Sequence, residues 1–176
     1  WSSGLMRFRR GGNTIYRYPR LNATNSAYSL FLDKHQRLWV GTWGYGVVRL
    51  DNPGNIRQPE MHQYPYSTNH FDTFYKIIHD PVTKTLWACT REGVCYLEED
   101  MPNAEWKGYT SIGNNPLNFN NDIATDGKGN IWLCTQNNGI LQVNTQPSLF
   151  KLWNLDTSHT HLTINYVYSI LTTDGE

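Results

Sequence analysis

Trp43 and Tyr45 stand in a short turn where solubility alone would select Asn, Asp or Gly. A flat aromatic surface there can cover the C–H face of a sugar ring, while amides, hydroxyls and charged groups bond its hydroxyls. Arg91 and Glu92 make a second turn of this kind, and Gln136, Asn137 and Asn138 a third. Each has a bland counterpart. The rings could pack over a neighbouring loop, the Arg–Glu pair could be a solvated turn, and three amides are an ordinary turn sequence.

Residues for catalysis do not assemble. There is no Gly-x-Ser-x-Gly, no Cys–His local signature, no Walker motif and no dinucleotide loop. Glu98 and Glu99 are adjacent acids at a strand end, which reads as solvated charge rather than a glycosidase pair. His159 and His161 lack a third ligand at suitable spacing. Asp126-x-Lys128-x-Asn130 lacks the terminal Glu of a calcium loop. The expectation is therefore no enzyme, no metal and no cofactor. Cys89, Cys95 and Cys134 are odd in number and outside any CxxC pair, so they read as small buried hydrophobes. Asn22-Ala23-Thr24 is a glycosylation sequon that matters only in a secreted eukaryotic protein.

The balance of charge narrows the partners. Fifteen basic and fifteen acidic residues cancel, so no strong field draws in nucleic acid or an anionic membrane. No apolar run approaches the roughly 18 residues of a membrane helix. The charged fraction is low at 17%, aromatics reach 14%, and 18 Asn and 14 Gly supply turns, a combination that reads as all-β.

What must position the three turns is a repeat. Leu38-Trp39-Val40-Gly41-Thr42, Leu86-Trp87-Ala88-Cys89-Thr90 and Ile131-Trp132-Leu133-Cys134-Thr135 align, with Trp spacings of 48 and 45. Each follows a turn opened by Asp33, Asp80 or Asp126, and another such turn opens at Asp174. Each Trp is followed by Gly and an apolar run, at Gly46-Val47, Gly93-Val94 and Gly139-Ile140, and Gly4-Leu5 is the same element one period earlier. A period of 40–50 residues means a propeller or an array.

Each unit reads as four short strands, A to D. Strand A is 28–32, 75–79, 122–125 and 167–171; strand B carries the Trp; strand C follows the Gly. Strand D is the weakest signal, at 14–18, 61–64, 106–109 and 150–153. The chain thus divides into the end of a blade at 1–24, blades at 25–71, 72–118 and 119–164, and the start of another at 165–176. Four antiparallel strands form one propeller blade, whose two apolar faces need neighbours. Trp39, Trp87 and Trp132 are assigned to the packing between blades. Because strands alternate in direction, the B–C loops and D–A connections share one face of the stack, and the A–B turns lie on the other.

The run Asp126-Gly127-Lys128-Gly129-Asn130-Ile131-Trp132-Leu133-Cys134-Thr135, followed by Gly139-Ile140, resembles the two-component regulator propeller repeat, with Cys134 replacing a motif Gly. Leu38 to Val47 resembles it nearly as well and keeps Gly41; the Leu86 unit departs further, since its turn lacks Gly and Cys89 replaces the motif Gly. The resemblance implies a fragment of a larger propeller from the periplasmic sensor region of a membrane-anchored bacterial hybrid two-component system. It also implies a response to an oligosaccharide. The loop face that such a ligand would use carries, from the reading of the turns above, Trp43, Tyr45, Arg91, Glu92, Gln136, Asn137 and Asn138. The implied partners are that ligand and the rest of the parent sensor chain, which would carry the kinase; the exposed faces and edges of an open stack add a second copy in a homodimer as an expected partner. Two other functions stay open: a propeller platform for protein interaction with no small ligand, and a propeller lyase or glycosidase.

Overall fold

The computed structural model describes residues 4–8, 10–12, 15–17, 26–55, 60–64, 73–99, 104–145 and 150–153. The first B–C loop at Trp1, the D–A connections around 22–25, 67–70 and 158–165, both His159 and His161, the sequon and the expected last A strand lie outside them.

Three four-stranded antiparallel sheets carry the described chain. The first joins β3 (Ser26–Leu32), β4 (Leu38–Trp43), β5 (Val47–Leu50) and β6 (Met61–Tyr64) in that order. The second joins β7 (Phe74–Asp80), β8 (Thr85–Thr90), β9 (Val94–Glu98) and β10 (Lys107–Tyr109). The third joins β13 (Asn120–Thr125), β14 (Asn130–Thr135), β15 (Ile140–Asn144) and β16 (Phe150–Trp153). A hairpin of β1 (Met6–Phe8) and β2 (Ile15–Arg17) precedes them. A further hairpin, β11 (Ser111–Ile112) with β12 (Asn115–Pro116), is built from residues that read in the sequence as connection.

The sheets are stacked through apolar faces, as the period-2 alternation of each strand requires. Along β8, Leu86 and Ala88 join the cluster that holds Trp39, Val47 and Phe74, whereas Trp87 and Cys89 join the cluster that holds Ile123, Ile131 and Leu133. β8 thus feeds two cores, one on either side, and β4 likewise places Trp39 and Val40 in different clusters. Neighbouring sheets approach one another chiefly along their A strands, β3 to β7 and β7 to β13.

The three tryptophans share one register: Trp39 pairs with Phe31 and Arg49, Trp87 with Ile78 and Tyr96, and Trp132 with Ala124 and Gln142. Trp39 and Trp87 are buried, each against the next sheet. Trp132 is partly buried, and the unit expected to pack on it lies outside the described residues. Cys89, Cys95 and Cys134 are buried free thiols.

Candidate functional site

Geometry at the B–C loops comes from one repeated lock. A Thr at the end of each B strand (the last residue of β8 and β14, the last but one of β4) donates its hydroxyl to the carbonyl of the Gly just before strand C: Thr42 to Gly46 at 2.8 Å, Thr90 to Gly93 at 2.9 Å and Thr135 to Gly139 at 2.8 Å. The same hydroxyl accepts a main-chain N–H inside the turn, from Tyr45, Glu92 and Asn138 respectively. The loops are therefore closed by their own Thr, and their side chains project from a fixed base.

A main-chain relay then joins one unit to the next. The Arg91 N–H donates to the Thr73 carbonyl at 3.2 Å, the Phe119 N–H to the Arg91 carbonyl at 2.6 Å, and the Gln136 N–H to the Phe119 carbonyl at 3.2 Å. Phe119 bridges two B–C loops while holding φ at 54°, an uncommon conformation for a bulky residue, and its ring is exposed. The Asn138 amide donates to the Pro116 carbonyl at 2.9 Å, tying the third loop to β12. Arg91 is paired with Glu92 at 2.7 Å.

Tyr28, Trp43 and Tyr75 form an aromatic trio at the same end of the sheets. Ring centroids lie 5.9 Å apart for Tyr28–Trp43, 5.4 Å for Tyr28–Tyr75 and 6.0 Å for Trp43–Tyr75, tilted or edge-on. Tyr28 is 45% exposed and Trp43 44%, so the trio faces solvent. The sequence reading found Trp43 but placed Tyr28 and Tyr75 in ordinary A strands. Each instead sits in a register shift, between Ala27 and Ser29 and between Phe74 and Lys76, with a third shift at Asn121 between Asn120 and Asp122. A bulge inserts one residue and re-aims its side chain. The recurrence of Tyr at the head of two aligned A strands was the available signal.

The structure thus brings Trp43, Arg91, Glu92 and Gln136 onto one strip, through Tyr75, Thr73 and Phe119. Tyr45 and Asn137 are exposed on the same loops. Beneath it the thiols are inert: burial, then the Asp122 carboxylate, pushes Cys89 far above its ordinary value and Cys134 up to about 12. Among the described residues no group of three His, Cys, Asp or Glu could hold a metal ion.

A family model described as "Two component regulator propeller" matches residues 23–44. The extracellular domain of BT4673 from B. thetaiotaomicron, described in one structure as a one-component and in another as a hybrid two-component system, is 24% and 22% identical. Its TM-score is 0.55, over 69% of this chain and 16% of that one. The extracellular domain of the hybrid two-component system BT3049 from the same organism is 18% identical, with a TM-score of 0.56 over 74% of this chain and 18% of that one. A chain of a nidogen–laminin complex is 12% identical, with a TM-score of 0.59 over 86% of this chain and 58% of that one. No curated protein matches the chain. Together with the three sheets, these likenesses establish the fold as part of a β-propeller. The chain spans under a fifth of these extracellular domains.

Proposed function

We propose that this chain is a ligand-sensing segment of the extracytoplasmic region of a hybrid two-component sensor, that it lies in the periplasm, and that it responds to an oligosaccharide. The observation that carries this reading is the strip of exposed aromatic rings and amides that successive propeller units present on one face, with its loops bonded to each other through main chain. Binding residues on a rigid scaffold characteristically occupy such loops. Aromatic faces and amides in alternation suit a ligand with apolar C–H surfaces and many hydroxyls. The propeller repeat and the sensor origin of BT4673 and BT3049 support the sensor role.

Transmission follows from the same geometry. The strip crosses from one sheet to the next, so a ligand lying along it prefers one relative placement of the sheets. A ligand shifts a conformational equilibrium only by its preference for one of the states. The parent chain would carry that shift to a kinase.

The test is calorimetric titration of the chain with a broad oligosaccharide panel. Saturable binding of at least one member is expected. Silence across the panel would sink the sensing role, and turnover of a panel member would place the chain among the propeller enzymes instead.

A further inference from the structure

We infer that the bulged tyrosines Tyr28 and Tyr75, together with Trp43 against both, form the stacking platform of this face, and that its ligand is an uncharged oligosaccharide. This rests on the oligosaccharide-sensing role proposed above and narrows it to one ligand class and to residues on strands rather than loops.

Three observations meet here. First, the bulges recur at the same register of all three described A strands and deliver Tyr, Tyr and Asn to the loop end of the stack. Recurrent bulges re-aim side chains next to sites. Two of these residues, Tyr28 and Tyr75, meet Trp43, and the resulting trio leaves nearly half of Tyr28 and of Trp43 in solvent.

Second, the cations beside the trio are already neutralised. Lys76 Nζ lies 2.6 Å from the Asp122 carboxylate, and the Arg91 guanidinium lies 2.7 Å from Glu92. An acidic glycan would have to break these pairs to be recognised by charge, and would then face their carboxylates.

Third, two of the three unbonded polar atoms at this end of the sheets are acceptors alone, which disfavours an anion. Thr73 Oγ1, Glu92 Oε2 and Asn120 Oδ1 are buried with no hydrogen-bond partner among the described residues. Thr73 and Asn120 are wholly buried; Thr73 lies two residues ahead of the bulged Tyr75, and Asn120 immediately ahead of the bulged Asn121 of the next sheet. Glu92 Oε2 and Asn120 Oδ1 can only accept. Being buried, they act on a ligand through the interior rather than by direct contact, and the Glu92 carboxylate repels a carboxylate or sulfate ligand across that low dielectric.

The experiment follows tryptophan fluorescence as the chain is titrated with uncharged tetrasaccharides from cellulose, xylan, mannan and starch. Parallel titrations use a galacturonate tetrasaccharide and a sulfated chondroitin tetrasaccharide. At least one uncharged sugar should bind. Tyr28→Ala and Trp43→Ala should each weaken it at least about tenfold at unchanged melting temperature, and Trp43→Tyr should retain most of the affinity. Binding confined to the acidic sugars would overturn the uncharged assignment and leave the sensing role standing. Uncharged binding that neither alanine substitution affects would overturn the platform. No binding to any sugar would overturn both readings.

Discussion

At the scale of single residues, the repeated Trp is anchored by different neighbours in successive units. The Trp39 indole N–H donates to Asp33 at 2.9 Å, Arg37 and Arg49 lie over its ring, and it stacks on Tyr64 at 5.3 Å. The Trp87 indole donates to Thr85 at 2.9 Å and packs on Tyr96 at 5.2 Å. Truncating Trp39 to Ala should destabilise the chain by about 3–5 kcal/mol, read from denaturant unfolding. Asp33 adds a pH signature. Burial works against its carboxylate, but the Trp39 indole, the Arg37 main-chain N–H and the Arg37 guanidinium outweigh it and hold the carboxyl below its ordinary value. The folded pKa is the lower one, so this contribution is complete above the unfolded value of about 3.9 and is lost as pH falls through the folded value. Asp33→Asn should therefore lower stability at neutral pH and flatten the acid limb of the stability curve. An acid limb as steep as that of the unsubstituted chain would contradict it.

At the scale of elements, a paired difference between units sets how closely sheets approach. A Cβ at Gly41 would collide with the Ser29 hydroxyl and lie 2.9 Å from Phe74 Cβ, because Phe74 fills the space between β4 and the next sheet. In the following unit the residue aligned with Phe74 is Asn120, and Cys89 stands where Gly41 stood. Gly41→Ala should therefore cost about 1–3 kcal/mol through overpacking, measured as a drop in melting temperature. Strands A, B and C were legible because their apolar runs recur at one period and are bounded by Asp and Gly. Strand D was legible only by position, since Met61–Tyr64 and Lys107–Tyr109 are short and mostly exposed. The β11–β12 hairpin left no signal because two-residue strands show no alternation. The bulges were invisible for a related reason. Tyr28 and Tyr75 suit a strand equally well in or out of register, and only pairing partners reveal the shift. Of the candidate face, the sequence therefore showed the loops and missed the strand residues beside them.

At the scale of the whole molecule, the first sheet departs from its neighbours in exposure. Leu30 is 58% exposed, while the aligned Ile77 and Ile123 are 3% and 0%. Leu32 and Phe8 are exposed beside it, on a concavity also lined by Leu5, Met6 and Leu38. Exposed apolar sheet faces of this kind associate. The chain studied alone should self-associate in light scattering, and Leu30→Glu with Leu32→Glu should return it to the monomer mass. A chain that is monomeric at high concentration without these substitutions would show that this face is stable in water.

The central claim is that ligand recognition resides at the end of the stack where B–C loops and A-strand bulges meet. Hydrogen–deuterium exchange with and without a saturating bound oligosaccharide measures this directly. Protection is predicted in segments 26–29, 43–46, 73–76 and 91–93, with exchange at the Asp-led turns 33–37, 80–84 and 126–130 unchanged. Protection at those opposite turns, with none around Trp43 and the bulges, would contradict the account.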